Sequence, residues 1–212
     1  MKRHGYLITI YGVNNLGKST QAKMLVEFLN RNSWPTEYVK YPAYRIAPTG
    51  PFINRILRSR DDQPINENEF QMWCTLNRFQ CEPALQKKLA AGKIVVAEDY
   101  IGTCLAWGAT KGADLDWLVE INQPLVHEDL AILIDGERFI NGKEKKHIHE
   151  NDDILIERCR RWHQKLASMY GWKMVNANQT ITQVNEDILE IVSQFLRGKD
   201  IWQKDIWQKN KP

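Results

Sequence analysis

The chain has 212 residues, 43% hydrophobic and 26% charged, enough to bury one α/β core with at most a small insertion. Its net charge of +3 suits anionic small molecules and gives no reason to invoke nucleic acid. No apolar run is long enough for a membrane, MKRHGYLITIYG holds no signal-peptide core, and the four cysteines (Cys74, Cys81, Cys104, Cys159) form no C-x-x-C pair, so a reduced cytoplasmic location is expected.

The first predicted element is an apolar strand, Tyr6 to Tyr11. It runs into Gly12, Val13, Asn14, Asn15, Leu16, Gly17, Lys18, Ser19 and Thr20, followed by a helical pattern in which Ala22, Leu25, Val26 and Leu29 recur from Ser19 to Asn30. Gly12, Gly17, Lys18 and Ser19 fit G-x-x-x-x-G-K-[ST] between strand and helix, the context of a phosphate-binding loop. In such a loop backbone N–H groups wrap a phosphate, the lysine meets the outer phosphates, and the serine hydroxyl holds Mg²⁺. The helix that follows turns its positive end toward the same anion. ATP with Mg²⁺ is therefore the expected donor.

A short strand, Glu37 to Tyr41, delivers the loop YPAYRIAPTG with Arg45, and a basic helical stretch follows from Phe52 to Arg60. Arg55, Arg58 and Arg60 there, like Arg158, Arg160 and Arg161 later, read as a solvated face. Asn66 with Glu69 caps a long helix through EFQMWCTLNRFQ, which Pro83 is expected to kink or divide. Ile94 to Tyr100 is the second central strand and ends in the carboxylates Glu98 and Asp99, placed to orient Mg²⁺ or an acceptor. A helix with Leu105, Ala106 and Trp107, a GATKG turn, a short helix DLDWLVEI and a strand from Asp129 to Asp135 come next.

Residues 136–151 are polar and lysine-dense, either a disordered surface loop or a mobile lid over the transferring phosphates. Asp152 or Asp153 then caps a helix with Ile154, Leu155, Cys159, Trp162, Leu166 and Met169 as its apolar stripe. WKMVNA is a fifth strand, and Thr180 with Gln183 forms a capping box before the last helix. The alternation predicts a five-stranded parallel sheet with helices on both faces, of the P-loop NTPase type with a short lid insertion. One kinase domain is expected over 1–198, with a tail, 199–212, in which DIWQK occurs twice and either docks Trp202 and Trp207 or stays loose.

GVNNLGKSTQ, YPAYR, LNRFQ, EDY followed by TCLAW, and WKMVNANQTITQVNEDI occur in an order and spacing that resemble the thymidylate kinase family of nucleoside monophosphate kinases. The resemblance covers nearly the whole chain. It implies phosphorylation of dTMP to dTDP by ATP and a homodimer; no nucleic-acid or membrane partner is expected from the charge and the apolar pattern. On this mapping Gly12 to Thr20 hold ATP, while Arg45 and Arg78 grip the acceptor's phosphate. Trp73, Cys74, Tyr100, Thr103 and Trp107 lie near the acceptor, with Cys74 at the family's base-stacking phenylalanine; from spacing alone, Trp73 is a core residue. Lys18 and Glu98 are implied as catalytic residues, and Ser19 and Glu98 as the Mg²⁺ ligands.

The departures concern charge. Glu98-Asp99-Tyr100 stands where the family has Asp-Arg-Tyr, so an acid replaces an arginine near phosphates, a repulsive change unless Mg²⁺ or a lysine intervenes. Asn14 replaces an acid that contacts the sugar, and Asn15 excludes a catalytic arginine in the loop. In the 136–151 segment Arg138 and Lys143 are present, and Lys145 or Lys146 is expected to contribute transition-state charge. A kinase for another deoxynucleotide or deoxynucleoside, or a nucleotide-binding protein without catalysis, is the competing reading.

Overall fold

Leu7–Tyr11 (β1) is buried at every position, as a strand covered on both faces requires. The computed structural model describes residues 5–59, 63–137 and 152–199. Thr36–Lys40 (β2), Ile94–Glu98 (β3), Leu130–Asp135 (β4) and Lys173–Asn176 (β5) complete the sheet, in the order β2-β3-β1-β4-β5. Every pairing is parallel. The strands therefore end at one edge, where Glu98 sits in register with both Lys40 and Ile10.

Seven helices cover the sheet among the described residues: Lys18–Arg31 (α1), Thr49–Leu57 (α2), Glu67–Ala90 (α3), Ile101–Thr110 (α4), Leu115–Asn122 (α5), Asp153–Tyr170 (α6) and Ile181–Arg197 (α7). α1 and α7 pack together, while α4 is packed by α3, α5 and α6. The caps follow the sequence: Asn66 accepts from the Glu69 amide at 2.9 Å, Asp152 from Leu155 at 2.9 Å, and Thr180 with Gln183 makes a complete capping box.

Four local expectations change. Pro83 does not divide α3, because the helix is anchored on both sides of it: Glu82 accepts from the Val126 amide at 2.8 Å, and Leu85 and Leu89 lie in the core. α2 starts and stops about three residues earlier than the Phe52–Arg60 pattern, its first turn held by Asn77 donating to the Thr49 hydroxyl at 2.8 Å. Gly108 to Thr110 belong to α4, since a Cβ at Gly108 would meet Leu118 at 2.7 Å and the two helices close there. In α6 the buried face is Ile156, Cys159, His163, Leu166 and Ala167, whereas Ile154 and Met169 are exposed.

The residues 138–151, with most of the expected lid, and 200–212, with the doubled DIWQK, lie outside the described residues. Among the described residues no helix is long and apolar enough to cross a membrane, and all four cysteines are buried thiols.

His163 is the polar intruder on the α6 face. It is 1% exposed, its Nδ1 lies 2.9 Å from the Cys159 carbonyl oxygen, and its Nε2 has no hydrogen-bond partner among the described residues. Burial pushes its pKa down from 6.5 to about 4, with the Cys159 carbonyl opposing and Lys18 adding to the shift. The unfolded chain binds this proton first, so stability is full above pH 6.5 and falls as pH drops from 6.5 toward 4. At ~1.4 kcal/mol per pKa unit the loss over that window is about 3 kcal/mol. Urea unfolding between pH 7 and pH 4 should show this slope in the native chain and lose it in His163→Leu.

Candidate active site

Gly12 (φ 144), Asn15 (φ 64) and Gly17 (φ 80) place three left-handed residues within six positions, folding the segment after β1 into a tight loop. At Gly12 the constraint is also steric, since a Cβ would stand 2.5 Å from the Ile134 carbonyl oxygen. α1 begins at Lys18 with no side chain capping its N-terminus, which leaves its first amide donors to an anion. The Lys18 ammonium is buried and donates to the Gly12 and Val13 carbonyls at 2.8 and 2.9 Å. Val13 and Leu16 face the core, and Asn14, Asn15, Gly17, Ser19 and Thr20 face a cavity of about 380 Å³.

Glu98 closes the floor of that cavity. It is 2% exposed and accepts three hydrogen bonds: from Ser19 Oγ at 2.7 Å, from Lys40 Nζ at 2.7 Å, and from the Tyr38 hydroxyl. Burial alone would raise its pKa, but the charge of Lys40 and the bonds from Lys40, Tyr38 and Ser19 outweigh it and hold the carboxyl below its ordinary range. A serine hydroxyl and a carboxylate side by side are hard oxygen donors of the kind Mg²⁺ takes, with nucleotide phosphates and water completing its shell. Among the described residues there is no cluster of three His, Cys, Asp or Glu that could hold a metal by itself.

Asp99 stands next to this group with φ 60, an unusual conformation for a residue with a Cβ. Its Oδ1 accepts from Thr103 Oγ1 at 2.9 Å and lies 3.8 Å from Lys18 Nζ. Burial lifts its carboxyl above the usual range, Lys18 opposes the shift, and Glu98 adds to it. The second acid at the end of β3 thus meets the lysine of the phosphate loop.

The far wall of the cavity comes from α3 and α4. Cys74 and Arg78 on α3, and Thr103 and Trp107 on α4, line it together with Tyr100 at the start of α4. Arg78 is 4% exposed, with Nε donating to Asn122 Oδ1 at 3.1 Å and one terminal nitrogen to Thr75 Oγ1 at 3.0 Å, so its guanidinium plane is fixed. Two residues assigned to the acceptor are not brought to the wall. Arg45 is exposed and is not among the residues lining the cavity, and Trp73 packs on Phe52 with ring centroids 4.4 Å apart in the small cluster between α2 and α3. Lys145 and Lys146 lie outside the described residues.

The cavity also contains residues that sequence reasoning did not single out: Lys40, Tyr44, Arg58, Phe70, Gln71 and Cys104. Phe70 precedes Cys74 by one helical turn, a spacing that could have flagged it. Arg58 had no such signal, because helical periodicity gave its basic stretch only a solvated face.

With this geometry in view, the comparisons with known proteins agree. The sequence profile of a family described as thymidylate kinase matches residues 10–188. A probable thymidylate kinase of Pyrococcus horikoshii is 30% identical, the match covering 92% of this chain and 98% of that protein. The thymidylate kinase of Homo sapiens is 28% identical, over 92% of this chain and 93% of its own. Among solved structures, a thymidylate kinase from Candida albicans superposes with a TM-score of 0.80 at 21% identity, over 92% and 93% of the two chains, which establishes the fold. A glycine-bent phosphate loop at the end of β1, an acidic β3 terminus bonded to its serine, and a profile spanning most of the sequence lead to one conclusion: the chain belongs to the thymidylate kinase family.

Proposed function

We propose that the protein transfers the terminal phosphoryl group of ATP to the phosphate of dTMP, giving ADP and dTDP. The observation that carries this reading is a single cavity shared by a complete phosphate loop and a wall holding the fixed guanidinium of Arg78. Phosphoryl transfer between two anions needs positioning and positive charge more than covalent help. An acceptor phosphate oxygen attacks the γ-phosphorus in line, the bond to the β,γ-bridging oxygen breaks, and ADP leaves. Lys18 follows the outer phosphates, and Ser19 with Glu98 would hold Mg²⁺, which neutralises phosphate charge. Asn15 brings no charge to the loop, so the reading assigns added transition-state charge to Lys145 and Lys146. Buried, unbridged cysteines support a reducing, cytoplasmic setting.

A homodimer is part of the proposal. Met72, Leu76 and Phe79 recur at helical spacing on α3 and are 58%, 47% and 38% exposed, an apolar stripe that a second copy would cover.

Three measurements test these points. ADP release should be fastest with dTMP across a panel of nucleosides and nucleoside monophosphates; activity confined to nucleosides would overturn the assignment. Asp99→Asn keeps the Thr103 bond and suits the left-handed backbone, yet removes the charge that competes for Lys18. It should tighten ATP binding by about 3- to 10-fold in calorimetry, since it removes a competing charge 3.8 Å from the Lys18 ammonium; weaker binding would show that Asp99 assists the donor. Leu76→Glu should convert a dimer to a monomer in sedimentation equilibrium, and a native chain that is already monomeric at micromolar concentration would sink the dimer.

A further inference from the structure

Arg45, the arginine that the sequence landmarks offer for the acceptor's phosphate, is exposed and absent from the cavity wall, while its neighbour Tyr44 lies on that wall. The loop thus presents an aromatic ring where a cation is needed. A cation over that ring comes from another element: Arg58, the residue that caps the C-terminus of α2, also lines the cavity. We propose that Arg58, and not Arg45, is the residue that binds the phosphate group of the nucleoside monophosphate acceptor. This rests on the reading of the cavity as a nucleoside monophosphate kinase site.

The geometry of Arg58 suits the role. Its guanidinium carbon stands 5.1 Å from the centroid of the Tyr44 ring, and NH1 donates to Asn54 Oδ1 on α2. Contact with the ring and the bond to Asn54 hold this planar, delocalised cation in place, and a guanidinium is the group that best matches phosphate oxygens. Burial raises the Tyr44 hydroxyl above its ordinary range and Asp99 adds to the shift, while a hydrogen bond with Arg58 and the charges of Arg58 and Lys40 oppose it. Lys40 is in turn bonded to Glu98, and Glu98 to Ser19 of the phosphate loop. Arg58 therefore joins the wall near the donor phosphates. Arg78 is held elsewhere, tied to Asn122, whose amide also reaches the Cys104 thiol at 3.6 Å. The two arginines serve different parts of one acceptor.

The distribution of charge gives the reason. Lys40 is neutralised by Glu98 at 2.7 Å, and Lys18 faces Asp99 at 3.8 Å. With acids at both leading positions of Glu98-Asp99-Tyr100, an acceptor phosphate needs a cation carried by an element outside the strand ends, and α2 supplies it.

The test compares Arg58→Gln, Arg58→Lys and Arg45→Gln by calorimetry with dTMP, thymidine and ATP, each titrated separately. Loss of a charge-assisted bond predicts about 10- to 100-fold weaker dTMP binding in Arg58→Gln, with thymidine and ATP bound as in the native chain. Arg58→Lys should recover part of the dTMP affinity, and the loss in Arg45→Gln should be smaller than in Arg58→Gln. A larger loss in Arg45→Gln, an equal loss of thymidine in Arg58→Gln, or a parallel loss of ATP marking a structural role would each overturn the proposal. A native chain that binds ATP and thymidine but no nucleoside monophosphate removes the function reading itself, and this assignment with it.

Discussion

The carboxylate of Glu98 is the point on which the site depends. A parallel sheet brings the ends of β1, β2 and β3 to one edge, and Glu98 sits there between the phosphate loop that follows β1 and the last residue of β2. A buried, unpaired carboxylate costs several kcal/mol, so its position is stable only because Ser19, Tyr38 and Lys40 all donate to it. Those three donors come from α1 and β2. One ionised group therefore fixes the serine expected at the metal, the cation of the neighbouring strand and the register between them.

Core packing beneath this edge sets the opposite wall. Tyr11, the last residue of β1, stacks on Trp172 at 4.4 Å, donates to Glu128 at 2.9 Å and accepts from the Gly102 amide at 3.1 Å. A Cβ at Gly102 would meet the Trp172 ring at 2.5 Å, so only glycine lets α4 approach this closely. Thr103, Cys104 and Trp107 follow on the same helix and line the cavity. The width of the acceptor side is in this way linked to the packing of the strand that carries the phosphate loop.

What could be read from the sequence was what is local. Gly12 to Thr20 and the Asn66 and Thr180 caps each encode their structure within a few residues and form as read, while the apolar β3 run forms a strand that stops at Glu98 rather than Tyr100, because Asp99 turns left-handed at φ 60. Tertiary context decided the rest. Pro83 passes through α3 because contacts on both sides hold the helix, and the α6 stripe shifts because His163 and Ala167 are covered while Ile154 is not. In the acceptor wall the order of landmarks located the right loop but not the side chain within it, since of two neighbouring residues Tyr44 lines the cavity and Arg45 is exposed outside its lining. Arg58 reaches the cavity only through the packing of α2 on α3, which periodicity does not reveal.

Asp99 shows why the charge had to be redistributed. Its left-handed backbone costs about 1 kcal/mol or more, and the Thr103 bond and the field of Lys18 offset it. Lys18, for its part, is engaged by two loop carbonyls as well as by Asp99. An incoming triphosphate must displace internal acceptors, and it can do so because it offers several charged oxygens where the protein offers two neutral ones and a carboxylate beyond hydrogen-bond distance. An acceptor monophosphate has no comparable advantage, since it carries less charge and, on the proposed reading, would share its cavity with Glu98 and Asp99. Its recognition must come from walls away from the strand ends. In this chain the acidic pair at β3 and the basic side chains of the surrounding helices are therefore parts of one electrostatic arrangement, and a change in either alters what the other must supply.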